Sequence, residues 1–312
     1  MKFFIKALML STLFVIGTVA SEPIHDVSVF VSDNSDGKIT PTQIQKVLEK
    51  AGFMIEANNN MNGPFKRDFN ETTFDVYNLM VMWRKDTVMA LAKDFPEVGL
   101  FSPMTASIYT KKGEKSISLA YLSMPALAKM MGVPANNPAI IDLGKKLDDA
   151  LKEAMPNGKY VPLNYKMQES KKDFVTRVSF ELKGDDWEDA KDNFQMELES
   201  ELATNKFVMA AFVDLNFNLE EKEKEWYDFY DVYSICKIEV IYEVSKIHPE
   251  AGAFAPCSAY MYQKKGEKTV YMAFPNVHKW IASLNITDQK AIDVLLDAQK
   301  RFEQTLQKVS QK

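Results

Sequence analysis

Hydrophobic and polar positions along this chain follow two periods, near two and near 3.6 residues, and their order recurs. Val27 to Val31 reads as a short strand, followed by the polar loop SDNSDGK. Thr40, Pro41 and Gln43 open a helix: a hydroxyl at the N-cap, a proline at the first turn, and a glutamine completing a capping box. Ile44, Val47, Leu48 and Ala51 share one helical face, and Gly52 ends it. Phe53 to Ile55 reads as a strand, Asn58 to Asn62 as a loop, and Phe74 to Trp83 as a longer strand. A helix capped by Asp86 runs to about Asp94. Two strands follow, joined at Lys111-Lys112-Gly113-Glu114, where Gly113 supplies the positive φ of a tight turn. Asn137-Pro138 starts a helix that carries Ile141, Leu147, Leu151 and Ala154 and ends before Pro156.

The second half retraces the order. Val175 to Leu182 is a strand, and Asp185 caps a helix with Trp187, Ala190, Phe194, Leu198 and Leu202 spaced for burial. Phe207 to Phe217 and Tyr227 to Ile235 are strands, and Glu239 to Lys246 is a helix. A hairpin turns at Lys264-Lys265-Gly266-Glu267, and Thr287 caps a terminal helix with Ile292, Leu295, Leu296, Phe302 and Leu306. The likeness extends to residue identity. Phe95 to Lys115 (FPEVGLFSPMTASIYTKKGEK) and His248 to Lys268 (HPEAGAFAPCSAYMYQKKGEK) agree at twelve of twenty-one positions, at a constant offset of 153. Average composition would give roughly one such match.

These patterns predict an α/β (α+β) protein: two tandem homologous two-layer domains, each a mixed sheet with helices packed on it. The expected divisions are 1–20, a signal peptide; 21–156, the first repeat; 157–170, a linker; and 171–312, the second repeat.

Composition adds the compartment. Lys2 and Lys6 precede an apolar run ending near Gly17, and Thr18-Val19-Ala20 suits cleavage. The run falls short of the roughly 20 residues needed to span a bilayer, so the expectation is a periplasmic or secreted protein with no membrane span after cleavage. Losing Lys2 and Lys6 takes the formal charge from −5 to −7. Neither repeat carries a basic stripe, which disfavours nucleic acid and anionic membranes as partners.

Cys236 and Cys257 both lie in the second repeat, where the first has Trp83 and Met104. An oxidising compartment favours a disulfide. If the two strands run parallel, the cysteines sit at opposite sheet edges, which favours buried free thiols.

The strand Phe74 to Trp83, the helix ending at Pro96, the loop Gly99 to Pro103, and the strands Met104 to Tyr109 and Ser116 to Tyr121 together resemble the domain of unknown function 302 family. The second copy matches with Tyr227 to Cys236, Pro249, Gly252 to Pro256, Cys257 to Tyr262 and Thr269 to Phe274. The chain departs from the family's Gly-Asn-Pro-like stop, with Arg84-Lys85-Asp86 and Lys237-Ile238-Glu239 in its place. The resemblance implies a compact α/β fold that pairs into dimers and has no established activity. Two linked copies then imply a monomer with internal pseudo-two-fold pairing.

Candidate ligand-binding residues are those recurring in both copies: Glu97 and Glu250, Asp75 and Asp228, Tyr77 and Tyr230, Tyr109 and Tyr262. Paired glutamates can divide acid and base roles. Pro-Glu-x-Gly reads more simply as helix termination, with glycine in a left-handed turn and Phe101 or Phe254 plugging the core. No catalytic motif, metal set or cofactor fingerprint is present: HExxH, Gly-x-Ser-x-Gly and phosphate loops are all missing. Methionines at 79–82 and 124–131 could hold a soft metal, but core filling suits their apolar surroundings better. The reading is an exported soluble binding protein for a small molecule or an envelope protein. Its alternatives are a periplasmic enzyme or carrier using the inter-repeat groove, and a structural partner of an envelope complex. A deep cleft lined by Tyr and Glu would favour a ligand; a filled seam with an apolar patch elsewhere would favour a protein partner.

Overall fold

The computed structural model describes residues 25–310 apart from Lys171, Asp185 and Lys222. The expected export signal at 1–20 and the expected cap Asp185 lie outside the described residues.

The first series of elements is β1 (Val27–Asp33), α1 (Pro41–Lys50), β2 (Met54–Asn60), α2 (Asn62–Phe69), β3 (Phe74–Trp83), α3 (Lys85–Leu91), a 3₁₀ turn (Pro96–Leu100), β4 (Met104–Lys111), β5 (Ser116–Leu122), α4 (Met124–Met130) and α5 (Pro138–Ala154). After the two-residue strand β6 (Lys159–Tyr160) the series starts again: β7 (Val175–Glu181), α6 (Trp187–Thr204), β8 (Val208–Asp214), α7 (Leu215–Glu220), β9 (Tyr227–Cys236), α8 (Ile238–Ser245), a 3₁₀ turn (Pro249–Ala253), β10 (Cys257–Lys264), β11 (Thr269–Pro275), α9 (Val277–Ser283) and α10 (Gln289–Ser310). The local signals act as expected in several places. Thr40 accepts the Gln43 N–H at the start of α1, and Gly113 and Gly266 turn their hairpins at φ of 79° and 74°. At α10 it is Asp288, rather than Thr287, that accepts a first-turn N–H, from Ala291 at 2.9 Å.

The strands form two sheets, ordered β2-β3-β4-β5-β1-β6 and β7-β11-β10-β9-β8. Read from the other edge, the second has the order of the first without β6. The α+β class is as expected, but every strand pairing among the described residues is antiparallel, where a mixed sheet was expected. The physical reason lies between β3 and β4. There α3 and its 3₁₀ turn do not cross the sheet; the turn packs against β10 and β11 of the other unit. The chain therefore re-enters its own sheet from the end it left. Asn58 to Asn60, expected as a loop, continue β2. The Asn58 carboxamide donates to Pro41 O at 3.1 Å and Gln45 Oε1 at 3.0 Å, so contact with α1 overrides asparagine's low strand preference.

Each sheet carries helices on one face and meets the other unit on the opposite face. Strand alternation sorts the residues. Along β3, Tyr77 and Leu79 face the second unit, while Asn78, Met80 and Met82 lie on the helix side. The two 3₁₀ turns are exchanged across the seam: Pro96–Leu100 packs on β9, β10 and β11, and Pro249–Ala253 packs on β1, β4 and β5. Thr105 and Ser107 donate to Ala253 O and Pro249 O, both at 2.9 Å, and Ser258 donates to Pro103 O at 2.8 Å. One apolar cluster runs through the seam and contains residues of both units; a second is confined to the second sheet, α6 and α10. The seam is thus built like a core. The methionine-rich run of β3 fills the first unit's own core on the helix side, with Met80 and Met82 fully buried.

Candidate functional site

The structure places the eight sequence-predicted residues in structural roles along the seam and at its hairpins. Asp75 and Asp228 each accept the backbone N–H of the hairpin glycine, Gly113 and Gly266, at 3.0 Å. Tyr77 donates to Pro249 O at 3.1 Å, and Tyr230 donates to Pro96 O while accepting Gly99 N at 2.8 Å. Tyr109 lies beside Tyr77 at 6.5 Å between centroids, and Tyr262 packs against Tyr227, Tyr230, Tyr260 and Tyr271. Burial raises the hydroxyl pKa of all four candidate tyrosines above the ordinary value.

The two glutamates are not brought together. Glu97 forms a two-pronged ion pair with Arg177 of β7, one prong of 2.7 Å, and stands close enough to add to the raised pKa of Tyr260 and Tyr262. Glu250 is buried and bonds His248 Nδ1 at 3.0 Å. Its carboxylate adds to the raised pKa of Tyr165, whose ring sits edge-on to His25 and to His248, each at 5.4 Å. Neither Arg177 nor Tyr165 lies within the repeated block, so internal comparison could not find them.

Gly99 and Gly252 explain the repeated loop. Neither has a positive φ, contrary to the left-handed turn expected. A Cβ on Gly99 would lie 2.7 Å from Tyr230 Oη and 2.8 Å from Tyr260 Cβ. On Gly252 it would lie 2.4 Å from Ser107 Cβ. Glycine stands here because the opposite sheet approaches too closely for any side chain.

A groove of about 310 Å³ opens elsewhere between the units, where the edge strands β2 and β8 lie alongside each other. Asn59, Asn60, Met61, Leu79 and Val81 of the first unit line it, with Val208, Met209, Cys236 and Ile238 of the second. A second space, of about 60 Å³, lies inside the second unit between the sheet and α8, α9 and α10. Its wall is apolar, with Ile235, Val240, Phe274, Trp280, Leu295 and Phe302, and includes Cys236 and Cys257.

The cysteines are free thiols on neighbouring antiparallel strands, not at opposite edges of a parallel sheet. Cys257 stands opposite Ile235 and shares its face, so Cys236, the next residue, projects to the other face. Burial pushes both thiols up to about 12.

Asp231 is a further buried charge that sequence comparison passed over, although its counterpart is the neutral Asn78. It is fully buried on the helix side of β9 and pairs with Lys191 of α6 at 2.8 Å. Burial raises its carboxyl to about 6, against the pull of Lys191 and with Asp214 of β8 adding to the rise.

Fold and seam define a two-unit α+β protein joined by exchanged loops. Within it, residues 188–310 match the family described as "Domain of unknown function DUF302". A crystal structure of an uncharacterised conserved DUF302 protein from Bacillus stearothermophilus is similar at 20% identity and a TM-score of 0.36, covering 43% of this chain and 96% of that one. No curated protein matches the chain. Among the described residues no helix is long and apolar enough to cross a membrane, and no group of three or more His, Cys, Asp or Glu side chains could hold a metal ion.

Proposed function

We propose that this is an exported binding protein, built from two copies of the DUF302-like unit, that takes up a small neutral molecule in the groove between them. The observation carrying this reading is the 310 Å³ groove with walls from both units. Its size falls within the roughly 300–1,000 Å³ of ligand sites. Its lining is mostly apolar with two carboxamides, Asn59 and Asn60, and no charged side chain. That lining suits an uncharged ligand, since an ion would lose hydration without a partner. The repeated glutamates support no acid–base chemistry in this reading: Glu97 is held by Arg177 and Glu250 is buried against His248.

The test is native mass spectrometry of the intact protein purified from its own source, beside a Val81→Trp variant that fills the groove. A retained small mass, lost in the variant, is the expected result. An unliganded protein that also fails to take up neutral compounds from a cell extract overturns the reading.

A second reading, an interaction protein, is supported by a different observation. Phe212 on the edge strand β8 and Phe217 on α7 are exposed, beyond the end of β8 that lines the groove, and β8 has a hydrogen-bonded neighbour, β9, on one side only. An added strand from a partner would cover them. In that case Phe212→Lys abolishes co-purification of a companion chain and leaves small-molecule retention unchanged.

A further inference from the structure

We infer that the ligand does not stop in the groove: it extends past Cys236 into the apolar cavity of the second unit, and its buried end is a short aliphatic group carrying one hydrogen-bond acceptor. This rests on the groove reading above and specifies the ligand's chemistry.

Three observations lead to it. The first is connectivity. Cys236 lines both the groove and the cavity, at the end of β9 where the sheet stops separating the two faces. The second is the origin of the space. At the equivalent positions the first unit has Trp83 and Met104, both buried and filling its core. Cys257 in place of methionine takes side-chain volume from the cavity side of the second sheet, and Cys236 in place of tryptophan takes it from the groove side where the two spaces meet, so the cavity is a local departure from the repeated packing. The third is polarity. The Trp280 side chain lines the cavity, is 3% exposed, and has no hydrogen-bond partner for its indole N–H among the described residues. Buried donors are nearly always paired, and an acceptor on the ligand would satisfy this one.

The other polar groups of the wall are engaged. Lys237 pairs with Asp297 at 3.1 Å. Gln299 accepts Val277 N at 3.1 Å and donates to Glu303 at 2.6 Å. Burial keeps both thiols neutral near pH 7. Nothing in the wall is left to hold an ion. Size narrows the class further: a cavity of about 150 Å³ binds benzene, so 60 Å³ suits a few aliphatic atoms better than a ring. The outer end of the molecule is neutral and polar, facing Asn59 and Asn60.

The probe is 9-hydroxynonan-2-one, with a ketone for Trp280 and a hydroxyl for the asparagines. It is titrated into the ¹⁵N-labelled protein while the Trp280 indole N–H and the Asn59 and Asn60 side-chain amides are followed. Both sets are expected to shift with one dissociation constant. Nonan-1-ol, lacking the ketone, is expected to bind at least fivefold more weakly, as is the ketone to Trp280→Phe. Cys257→Met restores the first unit's residue on the cavity side of the sheet and, checked for an unchanged amide spectrum, is expected to silence the Trp280 response while the asparagine amides still respond. Asparagine amides that respond while Trp280 stays silent overturn this inference and leave the groove reading standing. Silence at both sets overturns the two together, and a response at Trp280 alone overturns the passage from groove to cavity.

Discussion

Tyr77 and Tyr230, 153 residues apart, make the same hydrogen bond in opposite directions: each donates its hydroxyl to the carbonyl of the proline that opens the other unit's 3₁₀ turn, Pro249 and Pro96. The positions are equivalent, so the seam is self-complementary, as a two-fold interface between identical chains would be. Both hydroxyls are buried, but Pro249 O keeps the Ser107 hydroxyl when Tyr77 is changed, whereas Tyr230 is partner to both Pro96 O and Gly99 N. Tyr230→Phe is expected to lower stability by about 1–3 kcal/mol in urea denaturation, and Tyr77→Phe by less. An equal loss at the two sites would show that Ser107 does not compensate.

Glycine at the seam is a matter of space. Gly252→Ala places a methyl 2.4 Å from Ser107 Cβ and 2.7 Å from Leu79 Cδ2, so backbone must shift. The expected cost is about 1–3 kcal/mol, read as a lowered denaturation midpoint. Gly63→Ala in α2 is the control: its new Cβ meets nothing within 4 Å, and its φ is not in the left-handed region. That change is expected to be neutral or to stabilise by up to about 1 kcal/mol.

Asp231 gives the protein an inverted pH response. Its folded pKa of about 6 lies above the ordinary 3.8 because the charged form is buried. The folded state therefore binds the proton more tightly than the unfolded chain. Its stabilising contribution is complete below pH 4 and is lost as pH rises from about 4 through 6. Two pKa units at about 1.4 kcal/mol each set the scale at about 3 kcal/mol. Asp231→Asn, the residue of the first unit, is expected to raise stability at pH 7.5 and to flatten the profile between pH 4 and 7. Lys191 and Asp214, the charged groups facing Asp231 from α6 and β8, are unchanged in that variant. An unaltered profile would remove Asp231 as its source.

Both thiols are held neutral by burial, at about 12, and the thiolate is the reactive form. Iodoacetamide at pH 8 is expected to leave Cys236 and Cys257 unmodified over a period in which the urea-unfolded chain is alkylated at both. Mass spectrometry of the intact protein reads the outcome. Rapid double alkylation of the folded protein would contradict the packing of this region.

Local features were legible in the residues themselves. Thr40 and Gln43 mark a helix start through bonds spanning three residues, and Gly113 and Gly266 mark turns through their own backbone angles. The offset of 153 exposed a recurring order of elements without any three-dimensional information. Where the reading erred, the deciding contact was distant. The Asn58 run became a strand because α1 supplies partners for its carboxamide. The strands became antiparallel because the 3₁₀ turns pack on the opposite sheet. Gly99 and Gly252 looked like turn residues because nothing nearby in sequence shows Tyr230, Tyr260 or Ser107 pressing on them. Tyr77 and Tyr230 recur and hold the same seam from both sides, and repetition within one chain does not separate that role from ligand contact.

The sequence by itself determined the longer helices, most of the strands, the two hairpins and the recurrence of their order, because these follow from side-chain period, capping and φ preferences that act over a few residues; the short helices α2, α4, α7 and α9 were not among them. Only the tertiary structure decided which faces met, which carboxylates were neutralised and by which partners, and where space was left between and within the units. Those outcomes depend on surfaces that come together from more than a hundred residues apart, and their fit is set by volume and by hydrogen bonds that no local pattern encodes.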